Sequence, residues 1–147
     1  MQLFIGIMSG TSLDGIDVAL ASFEGLTAEN TGCQLIATHF FPYPSALKLE
    51  LLALHEPMSN ELESATMMGN KLAMLYADAV NALLKSAHKK ASEITAIGCH
   101  GQTIRHRPEL SFTLQIGNAA LLAELTASGN VAAAKICNHV NVSQFRQ

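Results

Sequence analysis

The chain has 147 residues, which is enough for one domain with a core, and its 49% hydrophobic content is typical of a globular protein. A net charge of −3 with nine scattered lysines and arginines argues against nucleic-acid and membrane partners, so we expect a small neutral or anionic ligand. The three cysteines follow neither a metal-site spacing nor a disulfide framework, which predicts a cytoplasmic protein. The sequence has neither a basic leader nor a long apolar run, so we expect no signal peptide and no membrane span.

The first predicted element is a β-hairpin, with apolar runs at residues 3–8 and 16–23 on either side of a short turn. Gly10 and Gly15 would let a ligand approach the main chain of this turn. Hydroxyl groups beside exposed backbone N–H groups can hold a phosphate. The hydroxyl residues of the turn are Ser9, Thr11 and Ser12.

Asp14 and Asp17 bring carboxylates to the same turn, where they could ligate Mg²⁺ bound to a nucleotide phosphate. The turn lacks the pattern G-x-x-x-x-G-K-[ST], so it is not a P-loop, and G-x-G-x-x-G is absent too. Ordinary hairpin turns also favour Gly, Ser and Asp for backbone reasons. The pattern alone therefore leaves a phosphate site and a plain turn about equally open.

The next segment predicts a third strand at residues 34–41, giving three sequential antiparallel strands. Pro42 and Pro44 end it because proline cannot donate to a sheet. Ser45 is predicted to cap a short helix that ends before Pro57. Its apolar face is predicted to contain Leu47, Leu51 and Leu54.

The longest periodic segment begins where Asn60 and Glu63 have the spacing of a capping box. It predicts a helix of about 28 residues, or roughly 40 Å. Core filling is predicted for Met67, Met68 and Met74 rather than an adaptable binding surface. The stripe expected to pack on the sheet is Leu62, Ala65, Gly69, Leu72, Tyr76, Ala79, Leu83 and Ala87.

A short buried strand is predicted at residues 95–99, and polar residues follow it. Side chains at the carboxyl end of a core strand face the crevice where ligands of α/β sheets bind. His100 could be a general base or an orienting donor, but a histidine hydrogen-bonded into the strand end is the favoured interpretation from sequence. Arg105, His106 and Arg107 are predicted to be solvated turn residues.

The last predicted elements are a strand at residues 112–116 and a helix at residues 119–125. Asn118 is a good N-cap for this helix. Unpaired N–H groups at the helix start could receive an anion or a sugar hydroxyl, although an ordinary strand-to-helix junction needs the same residues. Gln115, Gly117 and Asn118 are therefore weak site candidates.

Three segments resemble the motifs of the anhydro-N-acetylmuramic acid kinase family, in the family's order. They are residues 8–17, MSGTSLDGID, residues 97–103, IGCHGQT, and residues 113–117, TLQIG. The resemblance runs from about residue 3 to about residue 126, and residues 1–126 are expected to be the amino-terminal kinase domain. It implies an α/β fold of the ribonuclease-H-like, actin-like ATPase class, with a mixed sheet, three antiparallel strands first, and flanking helices.

The resemblance implies an ATP-dependent kinase of cell-wall recycling, which opens the 1,6-anhydro ring of anhydro-N-acetylmuramic acid and forms N-acetylmuramic acid 6-phosphate. ATP and Mg²⁺ are the implied cofactors, and the sugar is the implied partner. The residues implied to bind the nucleotide are Gly10, Thr11, Ser12, Leu13, Asp14, Gly15, Ile16 and Asp17, with Asp14 and Asp17 as metal ligands. The residues implied to bind the sugar are Ser9, His100, Gln102, Thr103, Gln115 and Asn118.

The sequence departs from the family in three places. Met8 stands where the larger superfamily usually carries an acidic residue, and Asn118 stands where the family usually has Asp. After Thr126 the resemblance fades, so residues 127–147 are interpreted as a divergent tail that lacks the second domain. The family's catalytic base is expected in that missing domain, and no catalytic residue is assigned here.

Two expectations follow for an isolated amino-terminal part. We expect it to be inactive alone, and the alternative is a non-catalytic remnant that binds a nucleotide or a partner with an actin-like fold. A sheet edge and cleft face that normally meet a second domain would be exposed, which predicts a homodimer or other self-association.

Overall fold

The computed structural model describes residues 1–24 and 32–126. Its main sheet has four strands in the order β3-β2-β1-β4, and it is mixed: β1, β2 and β3 pair antiparallel in sequence, whereas β4 runs parallel to β1. The predicted hairpin is confirmed, since β1 and β2 pair as far as Met8 and Asp17. The strands are β1 Gln2–Met8, β2 Gly15–Glu24, β3 Gly32–Pro42 and β4 Ile94–Cys99.

Two helices pack against one face of this sheet. They are α1, Ser45–Ala53, and α2, Glu61–Ser86. The alternating apolar residues of the strands, such as Ile5 and Leu20, are buried in one core cluster with the helices. The predicted helical faces are largely confirmed, because the following residues are all buried: Leu47, Leu51, Leu54, Gly69, Leu72, Tyr76, Ala79 and Leu83.

Three apolar side chains of α2 are not in the core as predicted. Leu62 is 84% exposed, because it lies in the first turn, whereas the buried residues of α2 begin at Met68. Met67 and Met74 are also exposed. They are seven residues apart and lie on the outward face of the helix. Of the three methionines, only Met68, the residue after Met67, lies in the core.

Two of the three predicted helix caps, those of α1 and α2, are wrong. Pro44 occupies the N-cap of α1, so Ser45 is already the first helical residue and cannot cap it. Asn60 does precede α2, but its φ of 58° is left-handed rather than extended, and no side-chain cap forms. Its amide nitrogen instead donates to Glu63 Oε2 at 2.5 Å, so the pair is a contact between side chains.

A second, two-stranded sheet follows β4. It pairs β5, Gln102–Arg107, antiparallel with β6, Phe112–Ile116, and a 3-10 turn at Pro108–Leu110 joins them. The helix α3, Ala119–Thr126, then packs on α2. Asn118 is its N-cap as predicted, because the Leu121 N–H donates to Asn118 Oδ1 at 3.0 Å.

The prediction that Arg105, His106 and Arg107 are solvated turn residues is wrong, because all three belong to strand β5. Arg105 is half-buried, and its guanidinium donates to the His55 carbonyl at 3.1 Å and to Glu61 Oε1 at 2.6 Å. This ion pair ties the small sheet to the start of α2.

The sheet face opposite the helices carries the small residues Gly6, Ala19 and Gly98 beside the rings of Phe4 and Phe23. A groove of about 430 Å³ lies on this face, and its lining includes Met8, Asp17 and His100. Within residues 1–24 and 32–126, none of the helices has the length and apolarity needed to cross a membrane.

Candidate functional site

The connection between β1 and β2, residues 9–14, is anchored from below by Leu13. This leucine has a left-handed φ of 57°, yet its side chain is only 3% exposed. A left-handed leucine costs about 1–2 kcal/mol, and burial of its side chain, worth about 1.5–3 kcal/mol, offsets that cost. The Leu13 N–H also donates to the Gly10 carbonyl at 3.2 Å and closes the turn. We call residues 10–14 of this connection the tip loop.

Anchoring the tip loop through Leu13 leaves its polar side chains on the outside. Thr11, Ser12 and Asp14 are exposed, and Gly10 is half-buried. A compact turn with outward hydroxyls and one carboxylate has the donors and the hard oxygen ligand that a phosphate with its cation requires.

Three of the residues predicted to bind the nucleotide are buried in the protein. The side chains of Leu13 and Ile16 lie in the core, so only their main-chain groups could meet a ligand. A Cβ on Gly15 would overlap the Phe41 carbonyl oxygen and come within 2.8 Å of the Phe40 ring. Glycine is therefore required at this position by the close approach of β3, independently of any ligand.

Ser9 lies inside the protein, beneath the tip loop. Its hydroxyl donates to the Gly101 carbonyl at 3.0 Å and lies 2.7 Å from the Tyr76 hydroxyl. A serine has one hydroxyl proton and Gly101 can only accept, so Tyr76 must be the donor to Ser9. With 3% of Ser9 exposed, its hydroxyl is committed to the protein interior.

Gln102 lies beside this pair and is completely buried. Its Oε1 accepts from the Tyr43 hydroxyl at 3.1 Å, and its Nε2 donates to the Gly10 carbonyl at 3.1 Å. Polar side chains from three distant parts of the chain therefore meet under the tip loop. Sequence reasoning missed Tyr43 and treated Tyr76 only as core, although a tyrosine in an apolar stripe must find a partner for its hydroxyl.

The two buried tyrosines predict that the fold weakens in alkali. Burial raises the pKa of Tyr43 and of Tyr76 above the ordinary value of 10.0. The folded chain therefore keeps two protons that the unfolded chain releases above about pH 10, so the unfolded state binds fewer protons there. The free energy of unfolding should fall by up to about 1.4 kcal/mol per pH unit for each tyrosine.

Urea denaturation between about pH 8 and about pH 11 measures this slope. Tyr76→Phe, which lacks the ionisable hydroxyl, should show a shallower decline than the unchanged chain. A free energy of unfolding that stays level across this pH range would contradict the prediction.

Three of the residues predicted to bind the sugar lie close together where β4 ends and β5 pairs with β6. Gln115 Nε2 lies 3.5 Å from His100 Nδ1 and 3.4 Å from Thr103 Oγ1, and all three side chains are half-buried. When the imidazole is neutral, Nδ1 accepts from Gln115, which leaves the proton on Nε2 beside the Met8 side chain. His100 is thus hydrogen-bonded at the strand end, as the favoured interpretation predicted, and it also lines the groove with Asp17.

Asn118 occupies the junction between β6 and α3. Besides capping α3, its Nδ2 donates to Asn70 Oδ1 of α2 at 2.8 Å. Gly117 is exposed and lies against Gly69, where an added Cβ would come within 3.3 Å of the Gly117 backbone. This close approach accounts for glycine at position 69 without a ligand.

The carboxylates suit a magnesium ion only as part of a nucleotide complex. Among the described residues, no group of three or more His, Cys, Asp and Glu could hold a metal. Asp14 and Asp17 are both exposed, however, and Mg²⁺ at phosphate sites is typically held by one or two carboxylates, water and phosphate oxygens. The donor set therefore fits a cation that arrives with phosphates.

Comparisons with known proteins agree with the motifs. The model of the family described as "Anhydro-N-acetylmuramic acid kinase" matches residues 2–135. A protein of that name from Bordetella petrii is 52% identical over 131 residues, which cover 89% of this chain and 34% of the relative. One from Thiobacillus denitrificans is 52% identical over 124 residues, covering 83% and 31%. One from Hahella chejuensis is 50% identical over 127 residues, covering 85% and 33%. The chain thus spans about a third of the length of these curated relatives.

Proposed function

The chain belongs to the anhydro-N-acetylmuramic acid kinase family, and we propose that its tip loop cradles the phosphates of ATP in that kinase reaction. The observation that carries the proposal is the contrast within the loop. Leu13 is locked into the core in a left-handed conformation, while Thr11, Ser12 and Asp14 are exposed. A loop fixed from beneath, with donors pointing outward, is prepared to bind without reorganising.

We further propose that the domain has the ribonuclease-H-like fold shared with actin-like ATPases. The sheet order β3-β2-β1-β4, with three antiparallel strands first and β4 parallel to β1, supports this assignment. So does the position of the tip loop between the first two strands, where sugar kinases and actin grip phosphates.

The proposed reaction joins hydrolysis to phosphoryl transfer. Water attacks the anomeric carbon of anhydro-N-acetylmuramic acid, the 1,6-anhydro bond breaks, and the freed 6-oxygen takes the γ-phosphoryl group of ATP. The products are N-acetylmuramic acid 6-phosphate and ADP. Phosphoryl transfer needs mainly positioning and charge neutralisation from the protein. We assign this chain the positioning share and assign the catalytic base to none of its residues.

Each group at the tip loop has a proposed part. Main-chain N–H groups from Gly10 onward and the hydroxyls of Thr11 and Ser12 would bind phosphate oxygens. Asp14, and Asp17 from the groove, would hold Mg²⁺, which neutralises phosphate charge when bound.

We propose that the sugar lies against His100, Thr103 and Gln115, with Asn118 at the rim. The first three are half-buried and converge on one another, which gives a sugar hydroxyl both donors and acceptors. Ser9 and Gln102, which the sequence predicted to bind the sugar, are not proposed to contact it. Both side chains are buried, and their polar atoms are already engaged within the protein.

A binding experiment and a turnover experiment test the proposal. Titration of the 147-residue chain with Mg·ATP, with Mg·ADP and with AMP should show affinity that falls as phosphates are removed. Incubation of a full-length relative with ATP, Mg²⁺ and anhydro-N-acetylmuramic acid should give the sugar 6-phosphate, whereas this chain alone should give none. A folded chain that does not bind ATP would overturn the phosphate-binding role of the tip loop. ATP as donor also supports the cytoplasm as the proposed location.

Self-association is proposed as well, and it gives a testable prediction. Leu35 and Phe40 of β3, an edge strand of the described sheet, are 62% and 50% exposed. Exposed apolar edges invite pairing with a second copy. Sedimentation at increasing concentration should show dimers, and Leu35→Lys should shift them toward monomer. Leu110→Lys, at an equally exposed leucine of the 3-10 turn, is the matched control; a monomer at every concentration would contradict the prediction.

A further inference from the structure

We propose that Gln102 is a positioning residue that holds the tip loop in its phosphate-binding shape, an inference that rests on the proposed function. Gln102 is the first residue of β5 and lies 92 positions from the loop residue it contacts. Its side chain is wholly buried, so it reaches the loop from inside the protein rather than from the ligand side.

The amide of Gln102 is fully used. Its oxygen accepts from the Tyr43 hydroxyl at 3.1 Å, and its nitrogen donates to the carbonyls of Gly10, at 3.1 Å, and Thr103, at 3.3 Å. An amide nitrogen carries two protons, so both donations are possible at once. Contacts on three sides leave the side chain a single orientation, which makes it a rigid support for Gly10.

Holding the Gly10 carbonyl fixes the direction of the next amide. The Gly10 carbonyl and the Thr11 N–H belong to one planar trans peptide, so they point in opposite directions. Since Gln102 binds the carbonyl from inside, the Thr11 N–H is directed away from Gln102, toward the exposed side of the loop. That is the side on which the hydroxyls of Thr11 and Ser12 lie.

Tyr43 extends the same support to the far end of the loop. Its hydroxyl donates to Gln102, and its main-chain N–H donates to the Asp14 carbonyl at 3.0 Å. The two ends of the tip loop, Gly10 and Asp14, are therefore held by one chain of buried contacts. Without Gln102, the Gly10 carbonyl keeps, among the described residues, only the Leu13 N–H as a donor, at 3.2 Å, and the first loop peptide loses its support from the interior.

The test compares variants of Gln102 in the 147-residue chain. Gln102→Met keeps the shape but removes both hydrogen-bonding groups. Gln102→Glu keeps an acceptor for Tyr43 but, when ionised, cannot donate to Gly10. Leu84→Ala is the control, because it opens a cavity in the core near the end of α2 and lowers stability without touching the loop. Should Gln102→Met fail to fold, Gln102→Asn, which keeps the amide but shortens its reach, replaces it.

Two measurements are made on each variant: hydrogen exchange in peptides covering residues 9–14, and the affinity for Mg·ATP. Both Gln102 variants should exchange faster in the loop and bind Mg·ATP more weakly, each by about tenfold, as expected for one lost buried hydrogen bond. Leu84→Ala should leave the exchange of the loop, relative to that of the core, unchanged.

The outcomes separate the two proposals. Unchanged loop exchange in Gln102→Met, or equal loosening in Leu84→Ala, would overturn the positioning role even if the chain binds ATP. Conversely, a loop loosened only by the Gln102 variants in a chain that never binds ATP would leave the support intact and overturn the phosphate function.

Discussion

Asp14→Asn, made at the equivalent position of a full-length relative, is expected to lower kcat/KM for phosphoryl transfer by about 10²–10³-fold, the usual loss for one preorganised charge-stabilising group. Asp14 is the exposed carboxylate of the tip loop, and asparagine keeps its shape while removing the charge that would hold Mg²⁺. Because the side chain is exposed, the free energy of unfolding should change by less than about 0.5 kcal/mol.

Steady-state kinetics and urea denaturation measure the two effects separately. Asp78→Asn is the matched control, since Asp78 is an exposed aspartate on α2 and belongs to neither proposed binding edge. Its kinetics and stability should match those of the unchanged enzyme. Normal turnover in Asp14→Asn would remove this carboxylate from the mechanism, and a loss of stability that accounts for the lost activity would make its role structural.

Gly101→Ala is expected to lower the free energy of unfolding of this chain by about 3–5 kcal/mol, at the upper end of single-substitution effects. Gly101 has a φ of 75°, which side-chain-bearing residues rarely adopt, and an added Cβ would overlap the Ile116 carbonyl oxygen. Relief of that overlap would push β6 away from the turn between β4 and β5. The Gly101 carbonyl also accepts from Ser9, so the support under the tip loop would shift with it.

Urea denaturation of Gly101→Ala and Gly6→Ala gives the comparison. Gly6 lies in β1, and an added Cβ there would have no heavy atom within 4 Å, so this control should stay within about 0.5 kcal/mol of the unchanged chain. A Gly101→Ala variant that is destabilised by less than about 1 kcal/mol would show that the turn relaxes around the added Cβ, and it would contradict the prediction.

The local elements could be predicted because their signals are local. Alternating apolar residues give β1 and β2, and a 3.6-residue period gives α2, which ends close to the predicted length at 26 residues. Helix starts are less well specified by local sequence. Asn60 has a suitable residue type and spacing for a cap, but its left-handed backbone, which the sequence pattern does not specify, prevents one.

The candidate site likewise contains residues that a local motif identifies and residues that only distant contacts identify. Thr11, Ser12 and Asp14 were identified from a contiguous motif, and their exposure agrees with a binding role. Ser9 belongs to the same motif, yet its hydroxyl meets Tyr76, which lies 67 positions away. Spacing along the chain cannot show such a contact, so residue type alone could not separate the exposed serine, Ser12, from the buried one, Ser9.

The contacts beneath the tip loop also constrain how the chain can acquire its function during synthesis. The loop is translated first, but its supports, Tyr43, Tyr76 and Gln102, leave the ribosome much later. The β1–β2 hairpin can form early, because its pairing is local, whereas its parallel partner β4 must wait for α2. A nascent chain that ends before residue 102 therefore carries the complete tip loop without its buried supports, and under the proposed function a nucleotide would stabilise the fold only after β5 has emerged.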